Sequence, residues 1–110
     1  AHNRDDHSKN FSFLMNEIGE WQVSPAYDLT FSSGPNGEHC TLVMGEGSNP
    51  GKSHLLKLAK IAGIKQSKAL GIIEEVKSAV NNWPLFATES DVTSSSKEMI
   101  QSYLQKMLKN

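Results

Sequence analysis

Two short stretches near the start of the chain alternate between apolar and polar side chains. Residues 11–16 begin Phe-Ser-Phe-Leu-Met and residues 20–24 contain Trp-Gln-Val, and a period of two predicts β-strands. Gly19 lies between them, where a tight turn is needed. Pro25 ends the second stretch, because proline has no N–H to offer a strand ladder. The pattern predicts an antiparallel hairpin that pairs residues 11–16 with residues 20–24.

From residue 52 onward the apolar residues recur at intervals of three or four, which predicts amphipathic helices. Their apolar stripes span residues 55–62, 69–83 and 99–108. Pro84 is predicted to open a short turn through Phe86. Serines are the candidate N-caps of the three helices: Ser53, Ser67 and Ser95, the last with Glu98 at the capping-box spacing.

Between the hairpin and the helices, residues 31–51 are rich in Gly, Ser, Asn and Pro. They predict an ordered loop region with a short extended segment at residues 39–44. A chain of 110 residues fits one small domain. We expect a single unit over residues 1–110, divided into a first segment at 1–30, the loop region and a helical array at 52–110. The predicted fold class is mainly α with a short β-hairpin.

Composition and charge narrow the classes of protein that fit. The net charge of -1 and the pI of about 6.5 give no electrostatic reason to expect direct nucleic-acid binding. No apolar run reaches the roughly 18 residues that span a bilayer, and no signal-peptide core is present, so no membrane association is expected. The single cysteine, Cys40, excludes an internal disulfide and fits a reducing, cytoplasmic compartment. Because the most polar motif lies in the first ten residues after Ala1, we expect the chain to be a piece of a longer protein.

The most polar stretch, residues 3–10, carries groups that suit phosphoryl transfer. This reaction needs a carboxylate that accepts the proton of the attacking hydroxyl, and oxygen ligands that hold magnesium against the nucleotide phosphates. Protein kinases supply them from a catalytic loop H-R-D-x-x-x-x-N and from an aspartate further along the chain. The stretch here reads R-D-x-x-x-x-N, and Asp28 follows the predicted hairpin. We assign Asp5 as the catalytic base, Lys9 as a catalytic cation that binds the nucleotide phosphates, and Asn10 and Asp28 as metal ligands.

The predicted hairpin also explains how these groups meet. Residues 3–10 precede its first strand, and Asp28 follows its second strand. In an antiparallel pair the start of one strand lies beside the end of the other. Both polar clusters are therefore expected at the same end of the hairpin.

The same residues resemble those of the HipA-like kinases, bacterial serine/threonine kinases that act as toxins of toxin–antitoxin pairs. The resemblance rests on D-x-H-x-K-N-F-S at residues 5–12 and on S-P-A-Y-D-L at residues 24–29, which is similar to the family's P-x-Y-D segment. The apolar tract at residues 42–45 and the later helices follow in the family's order, so the resemblance covers the chain as the family's C-terminal part. It implies the C-terminal portion of a protein-kinase-like large lobe, and transfer of the ATP γ-phosphate to a protein serine or threonine with Mg²⁺.

The resemblance also implies partners: a missing N-terminal lobe, a protein substrate such as an aminoacyl-tRNA synthetase, and a DNA-binding antitoxin. The chain has no glycine-rich nucleotide loop, no nucleotide-anchoring strand lysine and no hinge segment, which in the family lie upstream. Leu29 follows Asp28, so the D-F-G form is not kept. We therefore expect that this chain alone does not bind ATP and Mg²⁺ tightly and is inactive without the rest of the protein.

Other interpretations of the polar stretch stay open. Asp6 can replace Asp5 as the base, although Asn10 would then stand one position too near, and bracing of the loop suits Asp6 better. His7 suits a buried, hydrogen-bonding role that fixes the loop. A zinc site that joins His2 to Asp6 and His7 lacks a defined geometry.

Two alternatives concern larger parts of the chain. Residues 45–53 resemble a phosphate-binding P-loop, but that pattern needs glycine where Glu46 stands, and Pro50 restricts the backbone. We therefore reject a P-loop here. The chain as a whole also fits a non-catalytic helical interaction module, or a small-molecule kinase that shares the same catalytic loop.

Overall fold

The computed structural model describes residues 2–109, and α-helices form the largest share of their regular structure. The helices are α1 (Lys52–Ile61), α2 (Gln66–Asn81), α3 (Trp83–Glu89) and α4 (Ser94–Leu108). Strands β1 (Phe13–Met15) and β2 (Trp21–Val23) form an antiparallel pair. Short 3-10 turns occur at Ser8–Asn10 and Pro35–Gly37. The predicted fold class, mainly α with a short β-hairpin, is confirmed.

The hairpin has the predicted pairing. Three residue pairs face each other across the ladder: Phe13 and Val23, Leu14 and Gln22, and Met15 and Trp21. Ser24 N donates to Ser12 O at 2.9 Å, and Asn16 N donates to Glu20 O at 3.0 Å, so pairing continues beyond both strand ends. Gly19 lies in the turn with φ at 84°. Local alternation and one glycine were therefore enough to predict this element.

Both faces of the hairpin are exposed. All six strand residues are in the exposed class, and Phe13 and Trp21 keep 64% and 66% of their surface accessible. An antiparallel sheet normally packs one face on a core. The described residues thus do not bury either face of the hairpin.

The helices pack against one another and form a thin core. Helix α1 contacts α2, and α2, α3 and α4 contact one another. The buried apolar side chains come from the helices: Ala59, Ala69, Ala87 and Leu104. Trp83 Nε1 donates to Lys97 O at 3.2 Å and ties α3 to α4. Within residues 2–109, no helix combines the length and the apolar character that crossing a membrane requires.

The predicted serine caps are wrong at all three helix starts. Each helix begins two residues earlier than predicted, and the N-caps are Gly51, Lys65 and Thr93. At α1 no side chain caps the first turn, and His54 Nδ1 instead accepts the N–H of the N-cap residue Gly51 at 3.1 Å. At α4 the Thr93 hydroxyl accepts the Ser96 N–H at 3.4 Å. Each predicted serine stands in the first turn of its helix instead, where it is tolerated.

The turn predicted at Pro84 is longer than expected and forms α3. Pro84 lies at the second position of this helix, where its missing N–H has no intrahelical acceptor in any case. A proline near a helix start is therefore compatible with a helix that continues to Glu89.

The loop region is ordered by backbone bonds to the start of the chain. Ser32 N donates to His2 O at 2.8 Å, and Cys40 N donates to Arg4 O at 3.0 Å. The segment at residues 39–44 is not a strand: it runs into a tight turn with positive φ at Met44 and Gly45. The loop region therefore lies against residues 2–6.

Candidate functional site

The hairpin brings Asn10 and Asp28 together at its open end. Asn10 Nδ2 donates to Asp28 Oδ2 at 2.8 Å. A reciprocal capping box holds Asn10, because its Oδ1 accepts the His7 N–H at 3.1 Å while His7 Nδ1 accepts the Lys9 N–H at 3.2 Å. His7 is half-buried, so it fixes the loop as predicted without being fully buried. The predicted proximity of the two candidate metal ligands is confirmed, and their role stays a prediction.

Two further contacts that we did not predict tie the segment around Asp28 to the polar stretch. The Tyr27 hydroxyl donates to Lys9 O at 2.6 Å, and Asn3 Nδ2 donates to Asp28 O at 3.3 Å. Asp28 has φ at 53°, a left-handed conformation that aspartate adopts more readily than most residues. Because Tyr27 belongs to the recognised P-x-Y-D segment, the sequence could have indicated a role for it near the polar stretch. Nothing in the sequence pattern indicated the contact of Asn3.

Asp5 and Lys9 are both exposed. Asp5 Oδ1 accepts a weak hydrogen bond from Cys40 Sγ at 3.9 Å. Burial, followed by the charges of Asp5 and Asp6, raises the pKa of the Cys40 thiol, which keeps it protonated and able to donate. Among the described residues, no hydrogen bond links Asp5 to Asn10 or Asp28. The carboxylate of Asp5, the candidate base, is thus accessible to a substrate, and among the described residues only the weak bond from Cys40 holds its side chain.

Asp6 is fastened to the loop region. Its Oδ1 accepts the Thr41 N–H at 3.2 Å, its backbone oxygen accepts the Thr41 hydroxyl, and its Oδ2 lies 3.1 Å from His39 Nδ1. Partial burial alone would raise the pKa of Asp6, but the Thr41 amide and the His39 ring outweigh it and hold the pKa below its ordinary value. Because both carboxylate oxygens are engaged, the geometry suits Asp6 to bracing rather than to proton transfer.

Arg4 also binds the loop region, through hydrogen bonds from its guanidinium group to backbone carbonyl groups. Its Nη2 donates to Ser48 O at 2.7 Å, and its Nη1 donates to Gly37 O and, at 3.5 Å, to Ser33 O. The Arg4 guanidinium therefore donates to backbone carbonyl groups that lie 29 to 44 residues further along the chain. Such a role depends on how the loop folds back, and the R-D spacing alone did not reveal it.

His2 is buried, with 6% of its surface accessible. Its ring stacks on Tyr103 at a centroid distance of 5.1 Å and lies 5.3 Å from Phe31. Burial, then the charges of Arg4 and His39, lowers the pKa of His2 from 6.5 to about 4. The described residues contain no cluster of three or more His, Cys, Asp or Glu side chains arranged to hold a metal ion.

The stretch that resembles a P-loop already contains an anion. Glu46 Oε1 accepts the N–H groups of Ser48 and Asn49, each at 2.8 Å. These bonds lower the pKa of Glu46. Backbone amides that would otherwise be offered to a phosphate are thus occupied by a carboxylate of the same loop. This contact supports the rejection of a P-loop.

Two surface grooves lie in the helical half of the chain. One, of about 250 Å³, is lined by Pro84 and residues of α4, and the other, of about 500 Å³, lies between α1 and the start of α2. Neither is lined by a residue of the segment that carries Asn10 and Asp28.

Comparison with known proteins gives one match. A family model described as the HipA-like C-terminal domain matches residues 1–83. No curated protein and no solved structure matches the chain. The family match covers 83 of 110 residues, about three quarters of the chain, and includes both recognised motifs together with α1 and α2. The chain therefore belongs to the family of HipA-like C-terminal domains.

Proposed function

We propose that this chain is the catalytic-loop-bearing C-terminal part of a HipA-like serine/threonine protein kinase that depends on ATP and Mg²⁺. The observation that carries the proposal is the 2.8 Å contact between Asn10 and Asp28, which unites the last residue of R-D-x-x-x-x-N with the aspartate beyond the hairpin. The family match supports the kinase context and a toxin–antitoxin setting. In this proposal the chain carries one half of the kinase site.

The donor groups of the Asn10–Asp28 pair fit magnesium. Mg²⁺ prefers hard oxygen ligands and is commonly bound by one or two carboxylates together with substrate phosphates. Asp28 offers a carboxylate, and Asn10 offers a carboxamide whose Nδ2 donates to Asp28 Oδ2 at 2.8 Å while its Oδ1 accepts the His7 N–H. Binding of Mg²⁺ by Asn10 would use this Oδ1, with the Asp28 carboxylate released from Nδ2 to act as the second ligand. The capping box and the Tyr27 contact fix the backbone that carries Asn10. A bound Mg²⁺ would supply positive charge against the transferring phosphate.

Asp5 performs the proton transfer in this proposal. Its carboxylate accepts the proton of a serine or threonine hydroxyl while the hydroxyl oxygen forms a bond to the γ-phosphorus of ATP. The bond between that phosphorus and the β–γ bridging oxygen breaks, so the products are ADP and the phosphorylated residue, and Asp5 later releases its proton to water. The ammonium of Lys9 offsets phosphate charge during transfer. The exposure of both side chains is compatible with these roles.

The proposal includes three partners. An N-terminal lobe would supply the nucleotide-binding elements that this chain lacks, and would cover exposed hairpin residues such as Phe13 and Trp21. A protein substrate, such as an aminoacyl-tRNA synthetase, and a DNA-binding antitoxin follow from the family resemblance. The uncovered hairpin supports the first of these partners most directly.

The test is phosphate transfer by the full-length protein that contains this chain. With labelled ATP and Mg²⁺, we expect Asp5→Ala and Asp28→Ala each to lower the transfer rate by about 100-fold or more, because each removes a charge that acts on the reacting groups. Glu17→Ala, at the exposed hairpin turn, is the matched carboxylate control and should retain the wild-type rate. Wild-type transfer by Asp5→Ala would contradict the proposal. A folded full-length protein that transfers no phosphate would favour the non-catalytic helical interaction module instead.

A further inference from the structure

We propose that Asp6 is a positioning residue for Asp5. It acts by holding the backbone of residues 3–10, the catalytic loop of the proposed function, against His39 and Thr41. This inference rests on the function proposed above, because it assigns a purpose to a side chain that the phosphate-transfer step does not use. The juxtaposition that carries it is the double contact of Asp6 with the loop region, immediately beside the candidate base.

The contacts of Asp6 use every acceptor that the residue offers. Thr41 donates twice, from its backbone N–H to Oδ1 and from its hydroxyl to the backbone oxygen of Asp6. The His39 ring approaches the remaining carboxylate oxygen, at 3.1 Å. A charged acceptor forms stronger hydrogen bonds than a neutral one, so the bonds to the Asp6 carboxylate are a strong attachment of this stretch to the loop region, beside the bonds that the Arg4 guanidinium donates.

Asp5 lies between two attachments to the same segment. On its N-terminal side, Cys40 N donates to Arg4 O at 3.0 Å. On its C-terminal side, Asp6 accepts from Thr41. The Asp5 side chain itself has only the weak 3.9 Å contact with Cys40. The position of Asp5 is therefore set by the neighbouring residues Arg4 and Asp6, whose hydrogen bonds with residues 39–41 hold the backbone on both sides of it.

A general base must be placed precisely. A displacement of about 1 Å in a catalytic group costs on the order of 100-fold in rate, because proton transfer needs hydrogen-bond geometry at the moment of reaction. A base with few contacts of its own depends on the residues that hold its backbone. Removal of the Asp6 attachment should therefore impair the chemical step, while ATP binding, which relies on other residues, is retained.

The experiment measures steady-state phosphate transfer by the full-length protein with Asp6→Ala, Asp6→Asn and Thr41→Val. For Asp6→Ala we expect kcat to fall by about 100-fold, with KM for Mg-ATP within about twofold of wild type. Asp6→Asn keeps an oxygen that accepts the Thr41 N–H, so it should recover most of the loss. Thr41→Val keeps the backbone N–H and removes only the hydroxyl donor, so we expect about a tenfold fall in kcat. Glu17→Ala is again the carboxylate control.

Hydrogen exchange of the same variants provides a reading that does not depend on activity. The backbone amides of residues 4–7 should exchange faster in Asp6→Ala than in wild type, while those of α2 stay unchanged. Unchanged exchange at residues 4–7, or a kcat for both Asp6→Ala and Thr41→Val equal to that of wild type, would overturn the positioning role. If Asp6→Ala does not fold, Thr41→Val decides the question.

Failure of this inference and failure of the proposed function give different results. Loss of activity in Asp5→Ala together with full activity in both Asp6→Ala and Thr41→Val rejects the positioning role alone. Full activity in Asp5→Ala rejects the proposed function, and the positioning role is rejected with it.

Discussion

At the scale of single residues, the buried imidazole of His2 is the clearest case of an environment that changes a side chain's chemistry. The ring lies between Tyr103 and Phe31, and among the described residues its Nε2 has no hydrogen-bond partner. Its pKa is lowered to about 4 from 6.5. The folded chain therefore binds a proton at this ring less readily than the unfolded chain does.

The stability of the chain is expected to depend on pH through His2. The contribution of the neutral ring is fully present above pH 6.5 and is lost as the pH falls toward about 4. Over this window the free energy of unfolding should fall by on the order of 2 kcal/mol because of His2. Thermal melting at pH 7 and at pH 4.5 measures the effect.

The control for this prediction is His2→Phe, which retains an aromatic ring against Tyr103 and has no titrating group. Other groups, including Asp6 with its lowered pKa, also lose stability in acid, but they do so in both proteins. The variant should lose less stability than wild type between the two pH values. Equal losses would show that His2 does not titrate as described.

The residues of the site divide into those that sequence reasoning reached and those that it missed. Asn10 and Asp28 were reached because their spacing and motif context carry a chemical meaning. The bonds of Arg4 with Ser48 and of Asp6 with Thr41 join positions 35 to 44 residues apart. They depend on the path of an irregular loop, which no period in the sequence encodes.

At the scale of elements, the loop region owes its path to a close approach at Gly34. This residue has φ at 73°, and a Cβ there would lie 2.6 Å from the Cβ of Arg4 and would collide with the Glu38 carbonyl. Only glycine fits a left-handed conformation with so little space. The position of Arg4 against the loop therefore depends on the absence of a side chain at residue 34.

Gly34→Ala is expected to destabilise the chain by about 2–3 kcal/mol, since it adds a steric collision to an unfavourable φ. Gly45→Ala is the matched control, because φ there is 83° but nothing lies within 4 Å of the added Cβ. That variant should lose only about 1 kcal/mol. Urea unfolding measures both, and equal losses would exclude a tight approach at Gly34.

The elements also show which sequence signals are reliable. The hairpin was predictable because alternation and a turn glycine are local properties of residues 11–24. The helix starts were less predictable, because several polar residues near each start can serve as the cap and serine preference does not choose among them. At α1 the N-cap is Gly51, which has no side chain to cap the helix, and the ring of His54 in the first turn accepts the Gly51 N–H.

At the scale of the whole molecule, the helical half packs on itself while the hairpin keeps both faces exposed. The two grooves described above belong to the helical half and do not adjoin the Asn10–Asp28 pair. A nucleotide at that pair would be held from one side only. The sequence motifs were sufficient to predict that Asn10 and Asp28 lie together, and the roles assigned to them stay predictions.

We expect the chain alone to bind Mg-ATP with a Kd weaker than about 1 mM, because two ligands without an enclosing wall provide little binding free energy. Isothermal titration calorimetry of this chain measures the affinity, and the full-length protein under identical conditions is the control. Stoichiometric binding in the micromolar range by the chain alone would contradict this expectation.

The stacking of Tyr103 on His2 has a consequence for how the protein is divided into parts. The family match ends at residue 83, whereas the ring that covers His2 comes from α4. A recombinant fragment trimmed to the matched residues would keep Phe31 but lack this ring, so the face of the His2 imidazole that Tyr103 covers would be open to water. A boundary drawn from family similarity would then remove part of the packing around His2, next to Asn3 and Arg4. Fragments for biochemistry should extend at least to the end of α4.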